Sequence, residues 1–258
     1  MKILLLTKKN KNKTFFEILK DQKFKKLKIY KQYKKIDCKT AKNFDLIISY
    51  NYGEIVPPEV LKNCKNIINL HISYLPYNRG AYPVFWSFAE NTPVGVTIHS
   101  MNEVIDGGNI IYQKIKDFEL IKNRKKLTFR NAHAILESEI EDLFFKNFKQ
   151  ILNQDYLTFP QIGKGTHHTS NELPKELVSW DQNIYSTILK YNKRKKLLMQ
   201  NKLKLIDEVE KVRTKNNVNW MNLLRVSFKN NPDEAMKIFK KINLDDEKIS
   251  SLFKKLND

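Results

Sequence analysis

What most limits the possible folds of this chain is a series of short apolar runs set a helix-length apart. They lie at residues 1–7, 27–30, 45–50 and 67–70. Runs of this length with successive apolar residues read as strands covered on both faces. Helix signals stand between them. Thr14 with Glu17 three residues on is a capping-box pattern, followed by an apolar face at Phe15, Ile18 and Leu19. Pro57-Pro58 opens a short helix whose Val60, Leu61 and Cys64 face inward. Short strands alternating with short helices predict an α/β fold with a doubly wound, mostly parallel sheet.

Further along, Pro83 suits the first turn of a helix through Val84–Ala89, and two more strands are expected at Val94–Ile98 and Ile110–Lys116. From Leu127, apolar residues recur at three- and four-residue steps to Ile151, the pattern of one long amphipathic helix. Residues 153–182 lose that periodicity and carry Pro160, Gly163, Gly165 and Pro174, which predicts a long loop of the kind that is usually functional or a linker. Helical periodicity returns with Ile188, Leu197, Leu203 and Ile206, then at Trp220–Phe228, after Pro232, and at Ile249–Leu256. The expected organisation is a catalytic domain at 1–185 and a C-terminal helical appendage at 186–258, a small bundle of several helices.

Among its 258 residues, Lys and Arg outnumber Asp and Glu by 47 to 28, a formal net charge of +19. Such an excess attracts anions: nucleic acid, acidic lipid or phosphorylated small molecules. A generally Lys-rich proteome would give the same balance. Phe24 interrupts the run Lys23–Lys28 and Tyr30 follows it, but Lys193–Lys196 has no interleaved aromatic; neither reads as a stacking platform, so a solvated face is favoured over nucleic-acid binding. Cys38 and Cys64 have no paired spacing, which argues against a disulfide framework or a thiolate zinc site. No run approaches the ~18 apolar residues of a membrane span. A cytoplasmic protein without membrane insertion is expected.

The chemistry-bearing residues gather around the fourth strand. Asn69 and His71 are two apart, so in an extended chain they share a face. In open α/β sheets ligands bind at the carboxyl ends of the strands. Asp106 stands before Gly107 and Gly108, where the backbone turns tightly. An amide N–H and an imidazole suit a developing oxyanion, and an imidazole beside a carboxylate suits proton transfer near neutral pH. No motif places a Ser or Cys nucleophile with them. The set therefore fits direct acyl transfer to an amine, without a covalent enzyme intermediate. No carboxylate and His cluster has metal-ligand spacing, so no metal is expected.

Three segments carry a resemblance. Asn69-Leu-His71-Ile-Ser-Tyr-Leu-Pro76-Tyr-Asn-Arg79-Gly80, Gly95-Val-Thr-Ile-His99 and Asp106-Gly-Gly108-Asn-Ile110 are similar to the signatures of the 10-formyltetrahydrofolate-dependent formyltransferases. The likeness is dense over 45–116 and reaches about residue 180. It implies Asn69, His71 and Asp106 as the catalytic trio and 10-formyltetrahydrofolate as formyl donor. It also implies that the reduced folate lies against the loop holding Tyr52, Gly53 and Ile55 and the turn holding Asn102, Glu103 and Asp106. The loop Tyr-Leu-Pro-Tyr-Asn-Arg-Gly-Ala-Tyr-Pro, the Phe-Trp-Ser-Phe after it, and Gly-Lys-Gly-Thr-His-His at 163–168 look most like the short sugar-nucleotide members. The implied acceptor is a nucleotide-linked amino sugar, typically dTDP-linked, of surface-glycan biosynthesis. Arg79 would contact the diphosphate, and Tyr77, Asn78 and Tyr82 would line the nucleotide or sugar. Where the family usually has Asp-Thr-Gly-Asp-Ile, this chain has Gly107 and Asn109 at the second and fourth positions. Nothing in 190–258 resembles the barrel appendage of tRNA formyltransferases.

Several alternatives stay open at this point. They are formylation of another amine (methionyl-tRNA or glycinamide ribonucleotide), a non-catalytic scaffold, and, for the appendage, a homodimer contact or a docking site for a pathway enzyme. His167 and His168 read equally as exposed loop residues.

Overall fold

The computed structural model describes residues 1–21, 27–64, 66–118 and 126–255. Most of the Lys23–Lys28 run and the side chains of Trp220, Ile249, Leu252, Phe253 and Leu256 lie outside what is described. The chain divides into two compact units, Met1–Lys193 and Arg194–Asp258.

In chain order the elements of the first part are β1 (Lys2–Leu6), α1 (Lys13–Asp21), β2 (Lys28–Gln32), α2 (Cys38–Ala41), β3 (Leu46–Tyr50), α3 (Pro58–Asn63) and β4 (Ile67–His71). Then come β5 (Arg79–Gly80), α4 (Pro83–Ala89), β6 (Gly95–Ser100), β7 (Ile110–Ile115), α5 (Phe129–Lys146), α6 (Phe148–Asn153) and β8 (His167–His168). The main sheet has the order β2-β1-β3-β4-β6-β7. It is parallel from β2 through β4 and antiparallel from there on.

Its strands are apolar on both faces because both are covered. Ile3, Leu5, Ile48, Tyr50, Ile68 and Leu70 pack in one core with α1, α4 and α5. Their sequence neighbours Leu4, Leu6, Ile47 and Ile67 join a smaller core with Ala41 and Val60 of α2 and α3. The period-two alternation thus sorts each strand between two layers, and the α/β architecture is the expected one.

Three local expectations are corrected. Helix α1 starts at Lys13, so Thr14 lies inside its first turn; Asn12, just ahead, donates to the Thr7 hydroxyl at 2.9 Å and the Tyr50 carbonyl at 2.8 Å. The long helix after Leu127 is two helices, with Thr128 capping α5 and a break at Asn147, whose amide returns to the Leu143 carbonyl at 2.8 Å. The tail is two helices, α7 (Ile184–Asn230) and α8 (Pro232–Lys255). No Gly or Pro stands between 184 and 230 to interrupt α7. Leu197, Leu203, Ile206, Leu223 and Val226 are exposed, where a packed bundle would bury them.

The 153–182 loop is ordered as a strap. Phe159 pairs with Ile110, β8 pairs parallel with β5, and a 3-10 turn at Ser170–Glu172 carries a Thr169/Glu172 capping box. Gly165 sits where an added Cβ would lie 2.3 Å from the Pro76 carbonyl oxygen, so the strap touches the 72–82 loop backbone to backbone. His167 is exposed, but His168 is buried, stacked on Trp86 at 3.9 Å with Glu90 and Glu172 each 3.0 Å away.

Candidate active site

The site lies at the carboxyl end of β4, the last parallel strand. Ile68 and Leu70 turn into the larger core, which sends Asn69 and His71 to the opposite face. The antiparallel register sets Asn69 opposite His99 and His71 opposite Thr97. Directly opposed residues share a face, so His99 joins Asn69. It is 1% exposed. The alternation Gly95-Val-Thr-Ile-His already marks Thr97 and His99 as the polar side of β6, a signal that could have placed His99 in the site; only Asn69, His71 and Asp106 were expected there.

Asp106 arrives on the turn between β6 and β7. It has the left-handed φ of +50°, a costly conformation for a residue with a side chain. Gly108 makes the turn possible, since a Cβ there would sit 1.7 Å from the Ser100 carbonyl oxygen. At Gly107 a Cβ would meet Val104 Cβ at 2.6 Å, which is a physical reason for glycine at this position.

The Asp106 carboxylate is the hub. Oδ1 accepts from Asn69 Nδ2 at 3.0 Å and lies 3.5 Å from His99 Nε2. Oδ2 accepts from the Gly80 N–H at 2.8 Å and lies 3.6 Å from His71 Nδ1. His99 Nδ1 is 2.7 Å from the Ser100 carbonyl, so that nitrogen carries the proton and Nε2 is left to accept from Asn69 Nδ2 at 3.2 Å. Both N–H groups of Asn69 are therefore engaged, one on Asp106 and one on His99.

Burial opposes charge on Asp106, but attraction to His71 when that ring is protonated, the His99 contact and the Gly80 amide outweigh it and hold its pKa below the ordinary carboxylate range. Burial lowers the pKa of His71, with Asp106 pulling the other way. The ring is neutral at neutral pH. Its Nδ1 faces the carboxylate and its Nε2 lies 3.3 Å from the Asn78 carbonyl, so either neutral tautomer turns one lone pair toward an oxygen. Only the imidazolium satisfies both. A proton arriving on His71 thus improves its contacts, as a general base requires.

The 72–82 loop runs along this cluster. Asn78, expected to face a substrate, is fully buried with φ +56°. Its Nδ2 donates to Ser87 Oγ at 2.9 Å and Thr92 Oγ1 at 2.7 Å, and its Oδ1 accepts from Thr166 at 3.2 Å. The carboxamide anchors the loop, and its role at the site passes through the backbone carbonyl beside His71. Arg79 is partly exposed; its Nε and Nη2 donate to Gln161 Oε1 at 3.0 and 2.6 Å, and among the described residues no carboxylate pairs with it. Tyr77 and Tyr82 are partly exposed. Tyr82 also has left-handed backbone, φ +55°, and its ring lies 5.8 Å from that of Trp180.

The two segments expected to hold a folate are the loop after β3 and the turn between β6 and β7. Ile55, Val104 and Ile105 are exposed apolar side chains on them. Tyr52 donates its hydroxyl to the Lys34 carbonyl at 2.7 Å, and Gly53 packs against the Lys8 side chain. Asn102 Oδ1 accepts the Val104 N–H at 3.0 Å, shaping the turn, and Glu103 pairs with Lys62 of α3 at 3.2 Å. Among the described residues no group of His, Cys, Asp or Glu is arranged to hold a metal, and no helix is long and apolar enough to cross a membrane.

Comparison with known proteins places this geometry. PseJ, a formyltransferase from Anoxybacillus kamchatkensis solved with UDP-4,6-dideoxy-4-formamido-L-AltNAc and tetrahydrofolate, superposes with a TM-score of 0.64 at 33% identity; the match covers 72% of this chain and 97% of that one. A methionyl-tRNA formyltransferase from Pelagibacter ubique is 32% identical over 158 residues, 58% of this chain and 48% of the relative. The dTDP-4-amino-4,6-dideoxyglucose formyltransferase of Mycobacterium bovis is 33% identical over 74 residues, 29% of this chain and 31% of the relative. The chain spans about half the length, or less, of these curated relatives. The family model described as formyl transferase matches residues 2–140, from β1 into α5 and through the whole Asn69–His71–His99–Asp106 cluster, and by that match the chain belongs to the formyltransferase family.

Proposed function

We propose that this chain transfers the formyl group of 10-formyltetrahydrofolate to the primary amine of a nucleotide-linked amino sugar. The observation that carries the reading is the buried Asp106 carboxylate joining Asn69, His71 and His99, with the unneutralised Arg79 one residue from the amide that holds it. The folate supplies an activated formyl carbon; the exposed apolar Ile55, Val104 and Ile105 suit the face of a pterin. Asn69 releases one N–H from its resting partners to the formyl oxygen as negative charge develops there. His71 takes the proton that the attacking amine loses, and Asp106 with the Asn78 carbonyl stabilises the imidazolium. Arg79 receives a phosphate of the sugar nucleotide, with Tyr77 and Tyr82 beside it.

The sugar acceptor is favoured over methionyl-tRNA because PseJ matches at 33% identity over 97% of its chain, whereas the solved methionyl-tRNA formyltransferase of Clostridium thermocellum, matched over 82% of its chain, is only 17% identical. Incubation with 10-formyltetrahydrofolate and a panel of UDP- and dTDP-linked amino sugars tests this. Mass spectrometry should find a product with one formyl group replacing a hydrogen, and Arg79→Ala should raise the KM for the sugar nucleotide while leaving the folate KM unchanged. Formylation of methionyl-tRNA alone, with the steep salt dependence of a polyanion ligand, would overturn the choice of acceptor.

A further inference from the structure

Gln161 lies in the 153–182 strap, where sequence periodicity marks nothing. The Phe159–Ile110 bridge, with N–H to carbonyl distances of 2.8 and 2.9 Å, delivers it to the site two residues later. Its carboxamide is fully used. Oε1 accepts two N–H groups of Arg79, at 3.0 and 2.6 Å. Nε2 donates to the carbonyls of Asp106 and Gly108, both at 2.7 Å. A flipped carboxamide would set N–H against guanidinium and oxygen against two carbonyls, so these partners fix its orientation.

We infer that Gln161 is a positioning residue that holds Arg79, the phosphate-binding group for the substrate, in register with the Asp106 turn. The inference rests on the proposed reading in one respect, that the acceptor carries phosphate. Residues 79 and 80 grip Asp106 twice: Gly80 holds the carboxylate directly, and Arg79 holds the turn's carbonyls through Gln161. Two Arg79 N–H groups are bound by a neutral acceptor, which aims the guanidinium without cancelling its charge. Three more N–H groups, two of them on Nη1, have no partner among the described residues and are free for an anion. The same carboxamide bridges two carbonyls across a turn whose first residue has an unfavourable backbone conformation. Anion site and reaction centre therefore share one rigid support, contributed by a segment more than 50 residues away in sequence.

The test is a double-mutant cycle on Arg79 and Gln161 read by pyrophosphate affinity, together with hydrogen exchange over residues 104–110. Arg79→Ala and Gln161→Ala should each weaken pyrophosphate binding about tenfold, the size expected when a charged hydrogen-bonding group is lost or misaimed. The double variant should be no weaker than Arg79→Ala. Gln161→Glu should lose binding at least as much, because its carboxylate neutralises Arg79. Exchange at 104–110 should speed up in both Gln161 variants and stay near wild type in Arg79→Ala, a split that general destabilisation would not produce. Additive losses, unchanged exchange in Gln161→Ala, or no pyrophosphate binding by the wild-type chain would each overturn the inference. A non-additive cycle in a chain that formylates no amino sugar would instead overturn the proposed acceptor and leave the Gln161 clamp in place.

Discussion

Replacing Asp106 with asparagine removes the charge beside His71 at nearly constant shape. The side chain keeps one acceptor for the Gly80 amide, while its new NH2 group faces the Asn69 amide and ends that hydrogen bond as well. At the 3.6 Å separation of His71 Nδ1 and Asp106 Oδ2, Coulomb's law with an effective dielectric of about 20 gives roughly 4–5 kcal/mol of stabilisation for an imidazolium formed on His71. At about 1.4 kcal/mol per factor of ten, loss of that term predicts a kcat lower by about 10³. The folate dissociation constant should change little, because the exposed apolar surface at Ile55, Val104 and Ile105 is untouched. The assay is single-turnover formylation of the acceptor at saturating folate, with thermal unfolding run in parallel to show that the variant is folded. A folded Asp106→Asn enzyme within tenfold of wild type would refute the claim that the carboxylate stabilises the proton on His71.

Other expectations follow from the same geometry. His99→Phe removes the acceptor that orients the Asn69 amide, and kcat should fall by about tenfold or more with the folate Kd unchanged, as single-turnover rates and a binding titration would register. Gly108→Ala forces a Cβ against the Ser100 carbonyl and should cost about 3 kcal/mol in denaturant unfolding. Stability should depend on pH through two groups of the same sign. The folded pKa of His71 lies below the unfolded 6.5, so its contribution is complete above that value and lost as pH falls below it; Asp106 acts likewise below 3.8. In His71→Gln the first of these slopes, measured by unfolding between pH 7 and pH 5, should be absent.

The strands were legible in the sequence because they rest on local periodicity, whereas the grouping of Asn69 and His71 with Asp106 rests on the family resemblance. Ile68, Asn69, Leu70 and His71 alternate on one strand, and a carboxylate before two glycines signals a turn whatever the rest of the chain does. His99 was within reach of the same rule, given the antiparallel pairing of β4 with β6. Gln161 was not: four hydrogen bonds to residues 53–82 positions away leave no mark on its own neighbourhood. Two-residue strands such as β5 and β8 have no period to detect. Asn78 reads as a polar loop residue, yet Ser87, Thr92 and Thr166 enclose it, and burial of that kind is decided by tertiary packing alone. The tail misled for a related reason: its apolar spacing is that of packed helices, but the described helices leave those side chains exposed.

The strap that carries Gln161 and Thr166 also sets an order of events in synthesis. Asn69, His71, His99 and Asp106 have all been added to the nascent chain by the time its main sheet is complete at Ile115. The residues that lock Arg79 and the Asp106 turn follow some 50 residues later, and the bonds that close the 72–82 loop span 82 and 88 positions. Distant contacts of this kind form late, after the entropy of a long loop has been overcome. A nascent chain halted after β7 would hold Asn69, His71, His99, Asp106 and Arg79, but not the strap that clamps Arg79 to the Asp106 turn. The proposed reaction centre is therefore translated before the clamp that holds it in place.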